Sequence, residues 1–134
     1  MKREILFRGK RVDNSAWETG SLVVRWPGTS METVFIADKN TGYQTQVAPD
    51  TVGQYTGLSD KNGKRIFEGD IIKAYHTFTG ALLFFGLVKF EALRWQIEDA
   101  EFGDDSDLEE SSLIEYVIIG NIHDNPELME VNDD

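Results

Sequence analysis

The sequence predicts a mainly β protein. We expect a small SH3-like barrel-type β-domain in the C-terminal half, packed with an N-terminal β-hairpin and meander lobe, and a short C-terminal helical turn. Turn-forming residues recur about every ten residues along the chain, which is typical of sandwiches and barrels. The segments between them are rich in β-branched and aromatic residues, and the chain is 40% hydrophobic, enough for a core. At 134 residues it is sized for one domain, 1–134, with lobes at 1–50 and 51–134.

The first half contains four predicted strands. The cluster Asp13-Asn14-Ser15 predicts the loop of a hairpin between the first two, and Trp26-Pro27-Gly28 ends the second. The predicted strands are Glu4–Phe7, Trp17–Val24, Thr33–Ala37 and Tyr43–Val47.

The second half contains longer predicted strands. Gly86 interrupts an apolar segment and predicts a bulge or bend there. Leu93, Trp95 and Ile97 alternate with polar residues, so we expect them to share one face of a strand. The predicted strands are Val52–Thr56, Arg65–Phe67, Asp70–Phe78, Ala81–Glu91, Leu93–Glu98 and Leu113–Gly120.

Asn125 and Pro126 suit the cap and first position of a helical turn, and Glu127 lies where the helix dipole favours an anion. We expect Leu128 and Met129 to fold back onto the barrel.

Charge is distributed unevenly along the chain. Residues 1–75 hold 11 Lys/Arg and 9 Asp/Glu, whereas residues 76–134 hold 2 and 15, which together give the net charge of −11. A uniformly acidic chain would repel nucleic acid, but this polarised one could present a basic face or use its acidic half on a basic partner. The lack of cysteine excludes disulfides and thiolate sites. No apolar run approaches the roughly 20 residues of a membrane span, and the start has no secretory signal pattern, so we expect no membrane partner.

An acidic run, EDAEFGDDSDLEE, occupies residues 98–110. It could hold Ca²⁺ or imitate a phosphate backbone, but Gly103 precedes Asp104, Asp105 and Asp107, which is not the order of a Ca²⁺ loop. We expect a solvated loop that mutual repulsion keeps mobile.

The stretch QYTGLSDKNGKRIFEGDIIKA, residues 54–74, is crowded with turn-forming and charged residues. It is not a P-loop, because five residues rather than four separate Gly57 from Gly63 and β-favouring residues follow. It is not an EF-hand loop either, because glycine comes at the fourth position from Asp60. Asn62-Gly63 instead predicts a type I′ turn, and Glu68-Gly69-Asp70 a second tight turn. We expect Asp60, Asn62, Glu68 and Asp70 to cap turns.

Signals of catalysis are weak. No serine lies in a G-x-S-x-G motif, and the two histidines, His76 and His123, are 47 residues apart without a carboxylate cluster. We therefore expect no catalytic residue, no cofactor and no metal.

Two phrases carry a family resemblance. VGQYTGLSDKNGKRIFEGDIIK (52–73) and VIIGNIHDNPEL (117–128), preceded by REILFRGKRVDNSAWETGSL, resemble the YopX family of bacteriophage and prophage proteins. The segment 74–112 is the variable part, and His123 stands where an aromatic residue is common. The resemblance implies a small, mostly β protein encoded in phage genomes and located in the bacterial cytoplasm, with no established catalytic residues to carry over.

Three functions stay open. The first is a non-enzymatic accessory protein that binds a phage or host protein, or a second copy of itself. The second is a nucleic-acid-binding module that uses basic residues of the first half with nearby aromatics, or else an acidic DNA mimic that inhibits a host protein. The third is an enzyme. The candidate interaction residues are Tyr55, Lys61, Lys64, Arg65, Asp104, Asp105 and Asp107; the nucleic-acid alternative adds Lys2, Arg3, Arg8, Lys10, Arg11 and Phe67.

Overall fold

The computed structural model describes residues 4–130. The chain divides into two compact units, Met1–Tyr55 and Thr56–Asp134. The described strands are β1 Phe7–Lys10, β2 Trp17–Arg25, β3 Thr33–Ala37, β4 Gln44–Gln46, β5 Gly53–Ser59, β6 Arg65–Phe67, β7 Asp70–His76, β8 Leu82–Glu91, β9 Arg94–Asp99, β10 Asp105–Asp107 and β11 Ile114–Asn121. Two 3₁₀ helices, Pro49–Thr51 and Pro126–Met129, complete the secondary structure of this range.

The first unit is an antiparallel meander. Its strand order is β4-β3-β2-β1-β5, with Phe7 of β1 opposite Gly20 of β2 and Gln54 of β5. Along β3, buried apolar residues that belong to the core alternate with residues on the opposite face of the strand. The core consists of Val34, Ile36 and Val47, with Phe7 and Val52 packed against them.

The second unit is built on an open five-stranded sheet. The strand order is β10-β9-β8-β7-β11, and every neighbouring pair is antiparallel. β5 continues into this unit and is followed by its neighbour β6. One face of the sheet packs a core whose members recur at every second position of the strands. The buried core residues are Ile66, Ile72, Ala74, Val88, Ile97, Leu108 and Tyr116.

The predicted mainly β class and the short terminal helix are confirmed. The barrel is not closed in the described range, because the two outermost strands of the second sheet, β10 and β11, are not neighbours of each other. The prediction of one domain over 1–134, with lobes at 1–50 and 51–134, stays a prediction.

The first strand was predicted too early. β1 covers Phe7–Lys10, so Arg8 and Lys10 lie within the strand rather than after it. Glycine at position 9 leaves room for the side chain of Val47, because a Cβ on Gly9 would lie 2.8 Å from Cγ2 of Val47. The basic neighbours point the other way, and Arg8 and Lys10 lie over the ring of Trp17.

Gly86 does not make the predicted bulge. The β7–β8 register is continuous at Gly86, opposite Ile72, and shifts between Ala74 and Tyr75 instead. The reason for glycine is close approach of another strand: a Cβ on Gly86 would lie 2.0 Å from the carbonyl oxygen of Glu98.

Leu93 lies in a turn and not in the predicted strand. β8 and β9 join through a two-residue loop in which Ala92 (φ 52°) and Leu93 (φ 64°) both have positive φ. This is the backbone of a type I′ turn, which usually carries Asn-Gly. Leu93 is 91% exposed, whereas Ile97 is a buried core residue and the half-buried Trp95 packs against that core.

Candidate protein-interaction site

The turn at residues 60–64 is held by a buried carboxylate. Asp60 is only 6% exposed. Its Oδ1 accepts hydrogen bonds from the N–H groups of Asn62 (2.9 Å) and Lys64 (3.0 Å), and its Oδ2 accepts one from the N–H of Ile118 in β11 (3.2 Å). The N–H of Lys61 also donates to the carbonyl of Tyr116, at 2.9 Å. Asp60 therefore caps the turn, as predicted, and also ties it to β11.

The predicted type I′ geometry of this turn is wrong. Within residues 60–64, only Gly63 has a positive φ, of 82°. The N–H of Gly63 donates to the carbonyl of Asp60, and the N–H of Asp60 donates to the carbonyl of Lys64. This is a type I turn followed by a left-handed glycine, for which Asp is favoured at the first position. Asp60 selects the turn type because its side chain bonds the backbone ahead of it.

The second turn also has a buried carboxylate. Asp70 is 2% exposed, and its Oδ2 accepts the N–H of Phe67 at 2.8 Å. Asp70 thereby closes the turn between β6 and β7, as predicted. Asp60 and Asp70, the two aspartates of the 54–74 stretch, therefore both accept hydrogen bonds from backbone N–H groups.

A surface pocket of about 500 Å³ lies beside the first turn. One side of the pocket is formed by the end of β5 and the turn. The other side is formed by the start of β11 and the segment that precedes β11. The charged groups on its wall include one cation, Lys61, and two carboxylates that are not buried. These carboxylates are Glu110, which is exposed, and Glu115, which is half-buried. The pocket is lined by Gly57, Leu58, Ser59, Asp60, Lys61, Glu110, Ser111, Ile114, Glu115 and Tyr116.

The first four predicted candidates lie on different elements. Lys61 lines the pocket, Lys64 ends the turn, and Arg65 opens β6 on an exposed position. Tyr55 belongs to the first unit, where its N–H donates to the carbonyl of Leu6 at 2.8 Å. The role of these four residues in interaction stays a prediction.

Part of the acidic run forms a β-hairpin rather than the expected loop, whereas its expected mobility stays a prediction. Within this run, β10 (Asp105–Asp107) pairs antiparallel with β9. A single lysine offsets the repulsion, because Nζ of Lys89 lies 2.9 Å from Asp105, 3.3 Å from Glu98 and 3.3 Å from Glu91. Hydrogen bonds to these carboxylates, above all Asp105, raise the pKa of Lys89 well above its ordinary value.

The three predicted acidic candidates consequently have different surroundings. Asp105 is paired with Lys89, and Asp107 lies 3.5 Å from Arg94. Asp104 is exposed in the turn between β9 and β10, where its carbonyl accepts the N–H of Asp99. A phosphate mimic needs free negative charge, so the pairing of Asp105 and Asp107 does not favour that alternative.

Sequence reasoning missed a group of exposed apolar side chains at one end of the second sheet. Three elements lie at this end: the β7–β8 turn, the β9–β10 turn and the start of β11. The N–H of Thr77 donates to the carbonyl of Leu113, which places the β7–β8 turn beside the start of β11. The N–H of Ala100 donates to the carbonyl of Phe85, which places the β9–β10 turn beside the first half of β8. Phe78 is 77% and Phe102 76% exposed. We name as the apolar end the residues Phe78, Leu82, Leu83, Phe102 and Leu113.

The surroundings of the apolar end are acidic. Neither 74–88 nor 95–113, the segments that form it, contains Lys or Arg. Glu101 and Asp104 are exposed in the same turn as Phe102, and Oδ1 of Asp99 fixes that turn by accepting the N–H groups of Glu101 (2.8 Å) and Phe102 (2.9 Å). A phenylalanine inside a turn was the available signal in the sequence, since turns are ordinarily polar.

The basic residues of the first unit are largely occupied. Arg11 forms ion pairs with Asp13 (2.8 Å) and Glu18 (3.2 Å), and Arg8 and Lys10 lie over Trp17. The nucleic-acid alternative thus has fewer available cations than its sequence suggests. Lys2 and Arg3 lie outside the described residues.

The two histidines lie on different elements. His76 ends β7, and its Nδ1 accepts the N–H of Thr79 at 3.3 Å. His123 lies in the turn after β11, where its N–H donates to Oδ1 of Asn121. Across residues 4–130, no three His, Cys or acidic side chains are grouped as metal ligands would be.

The comparison with known proteins decides the family. The YopX protein family matches residues 6–130. The chain belongs to the YopX family. No curated protein matches the chain. No helix in residues 4–130 is long and apolar enough to cross a membrane.

Two solved structures share the YopX fold seen here. Protein EF1440 from Enterococcus faecalis is 23% identical, with a TM-score of 0.55 over 96% of this chain and 100% of that one. Protein yopX from Bacillus subtilis is 17% identical, with a TM-score of 0.57 over 93% of this chain and 98% of that one. At these identities the likeness concerns the fold.

Proposed function

We propose that this YopX protein is a non-enzymatic accessory protein, encoded by a phage or prophage, that acts in the bacterial cytoplasm by binding a protein partner through the apolar end. The observation that carries the proposal is the gathering of Phe78, Leu82, Leu83, Phe102 and Leu113 at one end of the second sheet. Scattered exposed apolar residues are normal, whereas exposed apolar patches usually mark interaction sites, and strand pairing brings these five residues to the same end of one sheet.

The charge around the apolar end indicates what kind of partner fits. Its forming segments carry carboxylates and no Lys or Arg. A matching surface has an apolar centre and a basic rim, because like charges across an interface oppose association. A second copy would meet the same carboxylates, so we favour a different protein over a homo-oligomer.

The buried carboxylates support a non-enzymatic role. Asp60 and Asp70 receive backbone hydrogen bonds that hold turns, which leaves them poorly placed to act as acids, bases or nucleophiles. Each therefore has an evident structural task in holding a turn.

Capture from infected or prophage-carrying cells tests the proposal. The tagged protein is compared with the double variant Phe78→Ser/Leu113→Ser, and the matched control is Met31→Ser/Tyr43→Ser in the first unit. Met31 and Tyr43 are similarly exposed, so the control removes as much surface apolar area elsewhere. We expect the apolar-end variant to recover at least about tenfold less partner, because two apolar side chains lose their burial.

Equal recovery by both double variants would contradict the proposal. Sedimentation equilibrium of the purified protein separates the remaining alternative: an oligomer that Phe78→Ser/Leu113→Ser dissociates would make a second copy the occupant of the apolar end. Urea unfolding of each variant verifies that the fold is retained.

A further inference from the structure

β11 is an outer strand of the five-stranded sheet, so one of its two edges does not pair within that sheet. Such an edge is a template for another strand unless something covers it. The turn at residues 60–64 covers only part of it. The N–H of Lys61 bonds the carbonyl of Tyr116, and Asp60 accepts the N–H of Ile118.

The register shows which backbone groups face away from β7. The N–H of Thr77 bonds the carbonyl of Leu113, and Glu115 lies opposite Tyr75. In an antiparallel pair, hydrogen-bonded positions alternate with positions whose backbone groups point outward. Leu113, Glu115 and Val117 therefore face β7, and Ile114, Tyr116 and Ile118 face outward. The bonds from the turn to Tyr116 and Ile118 agree with this alternation.

The outward groups that the turn does not reach open onto the pocket. These are the N–H and C=O of Ile114 and the N–H of Tyr116, and both residues line the 500 Å³ pocket. The opposite wall includes Gly57, on which a Cβ would meet no atom within 4 Å. The pocket thus has room beside an edge that can both donate and accept hydrogen bonds.

We propose that this pocket binds an extended, basic peptide segment of a partner protein by strand addition to the Ile114–Tyr116 edge of β11. Main-chain hydrogen bonds would supply affinity, as in other complexes where a peptide adds a strand. Glu110 and Glu115 on the pocket wall outnumber Lys61, which selects Lys or Arg at alternate positions of the peptide. Two copies of β11 would bring Glu115 against its own counterpart, so a second copy is the less favoured occupant.

This inference does not rest on the apolar end, and the two surfaces can be tested separately. The probe is a short synthetic peptide of alternating lysine and valine, and its counterpart alternates glutamate and valine. Backbone amide NMR of the full chain follows both titrations to about 1 mM. In the free protein, we expect fast hydrogen exchange at the amides of Ile114 and Tyr116 and slow exchange at those of Glu115 and Val117.

The basic peptide should shift the resonances of residues 57–61 and 110–116 and slow exchange at Ile114 and Tyr116. The acidic peptide should bind at least about tenfold more weakly. Shifts that map to residues 77–83 and 99–104 instead would overturn strand addition while supporting the apolar end. The absence of binding by the basic peptide, or equal binding of both peptides, would overturn the inference.

A proline variant isolates the main-chain contact. Ile114→Pro removes an outward N–H but no bond to β7, which is the arrangement in which an edge strand tolerates proline. Ile114→Val keeps the N–H and is the matched control. We expect affinity for the basic peptide to fall about threefold to tenfold in Ile114→Pro and to stay unchanged in Ile114→Val.

Because Ile114 also packs against the core, a charge variant gives a second readout that does not depend on the proline. Glu110→Lys/Glu115→Lys should reverse the preference, so that the acidic peptide binds more tightly than the basic one. An unchanged preference would contradict the assigned partner chemistry.

Discussion

At the scale of single residues, the two aspartates of the 54–74 stretch, Asp60 and Asp70, act on the backbone. Asp60 accepts two N–H groups within its own turn and one from β11. A local capping residue would have made only the first two. The third bond turns a hairpin cap into the connection between the turn and the edge strand.

Replacement of Asp60 by alanine should destabilise the protein by about 2–4 kcal/mol, because buried N–H groups lose their acceptor. Urea unfolding measures this change. The matched control is Asp38→Ala, because Oδ1 of Asp38 accepts the N–H groups of Asn40 and Thr41 in an exposed turn without a long-range bond. The Asp38 change should have the smaller effect. Equal effects would show that the bond to Ile118 contributes little.

At the scale of elements, sequence patterns located most strands but not their details. β3 and β6 begin and end where they were predicted, because turn signals bracket short β-branched and aromatic runs. Leu93 was misplaced because Ala-Leu is not a turn signal, although it forms one here with two positive φ values. β10 was missed because the charges that stabilise it, Lys89 and Arg94, lie outside the acidic run.

The glycine of β8 allows a test of strand spacing. Gly86→Ala should destabilise the protein by about 3 kcal/mol, since the new Cβ would overlap the carbonyl oxygen of Glu98 and force the strands apart. Gly103→Ala is the control, as Gly103 has a φ of 71° but nothing within 4 Å of a Cβ, and should cost about 1–2 kcal/mol. Thermal or urea unfolding compares the two. A Gly86→Ala variant as stable as the wild type would contradict the close approach.

At the scale of the whole molecule, the sequence indicated the fold class and the family, and it indicated the candidate site poorly. The class follows from local patterns, which a single sequence displays. The apolar end does not, because Phe78, Phe102 and Leu113 come from three separate segments that only the strand pairing brings to one end. The Ile114–Tyr116 edge of β11 is likewise not visible in the sequence, because it is defined by the part of β11 that the 60–64 turn leaves uncovered. Both are consequences of topology rather than of any motif.

The central claim is that this YopX protein works by binding a partner at the apolar end of its second unit. Hydrogen–deuterium exchange of the full chain, with and without the captured partner, tests it most directly. We expect protection within residues 77–83, 99–104 and 111–114, where the apolar end and its acidic rim lie. Protection confined to residues 7–25 of the first unit, with no change in those three segments, would contradict the claim.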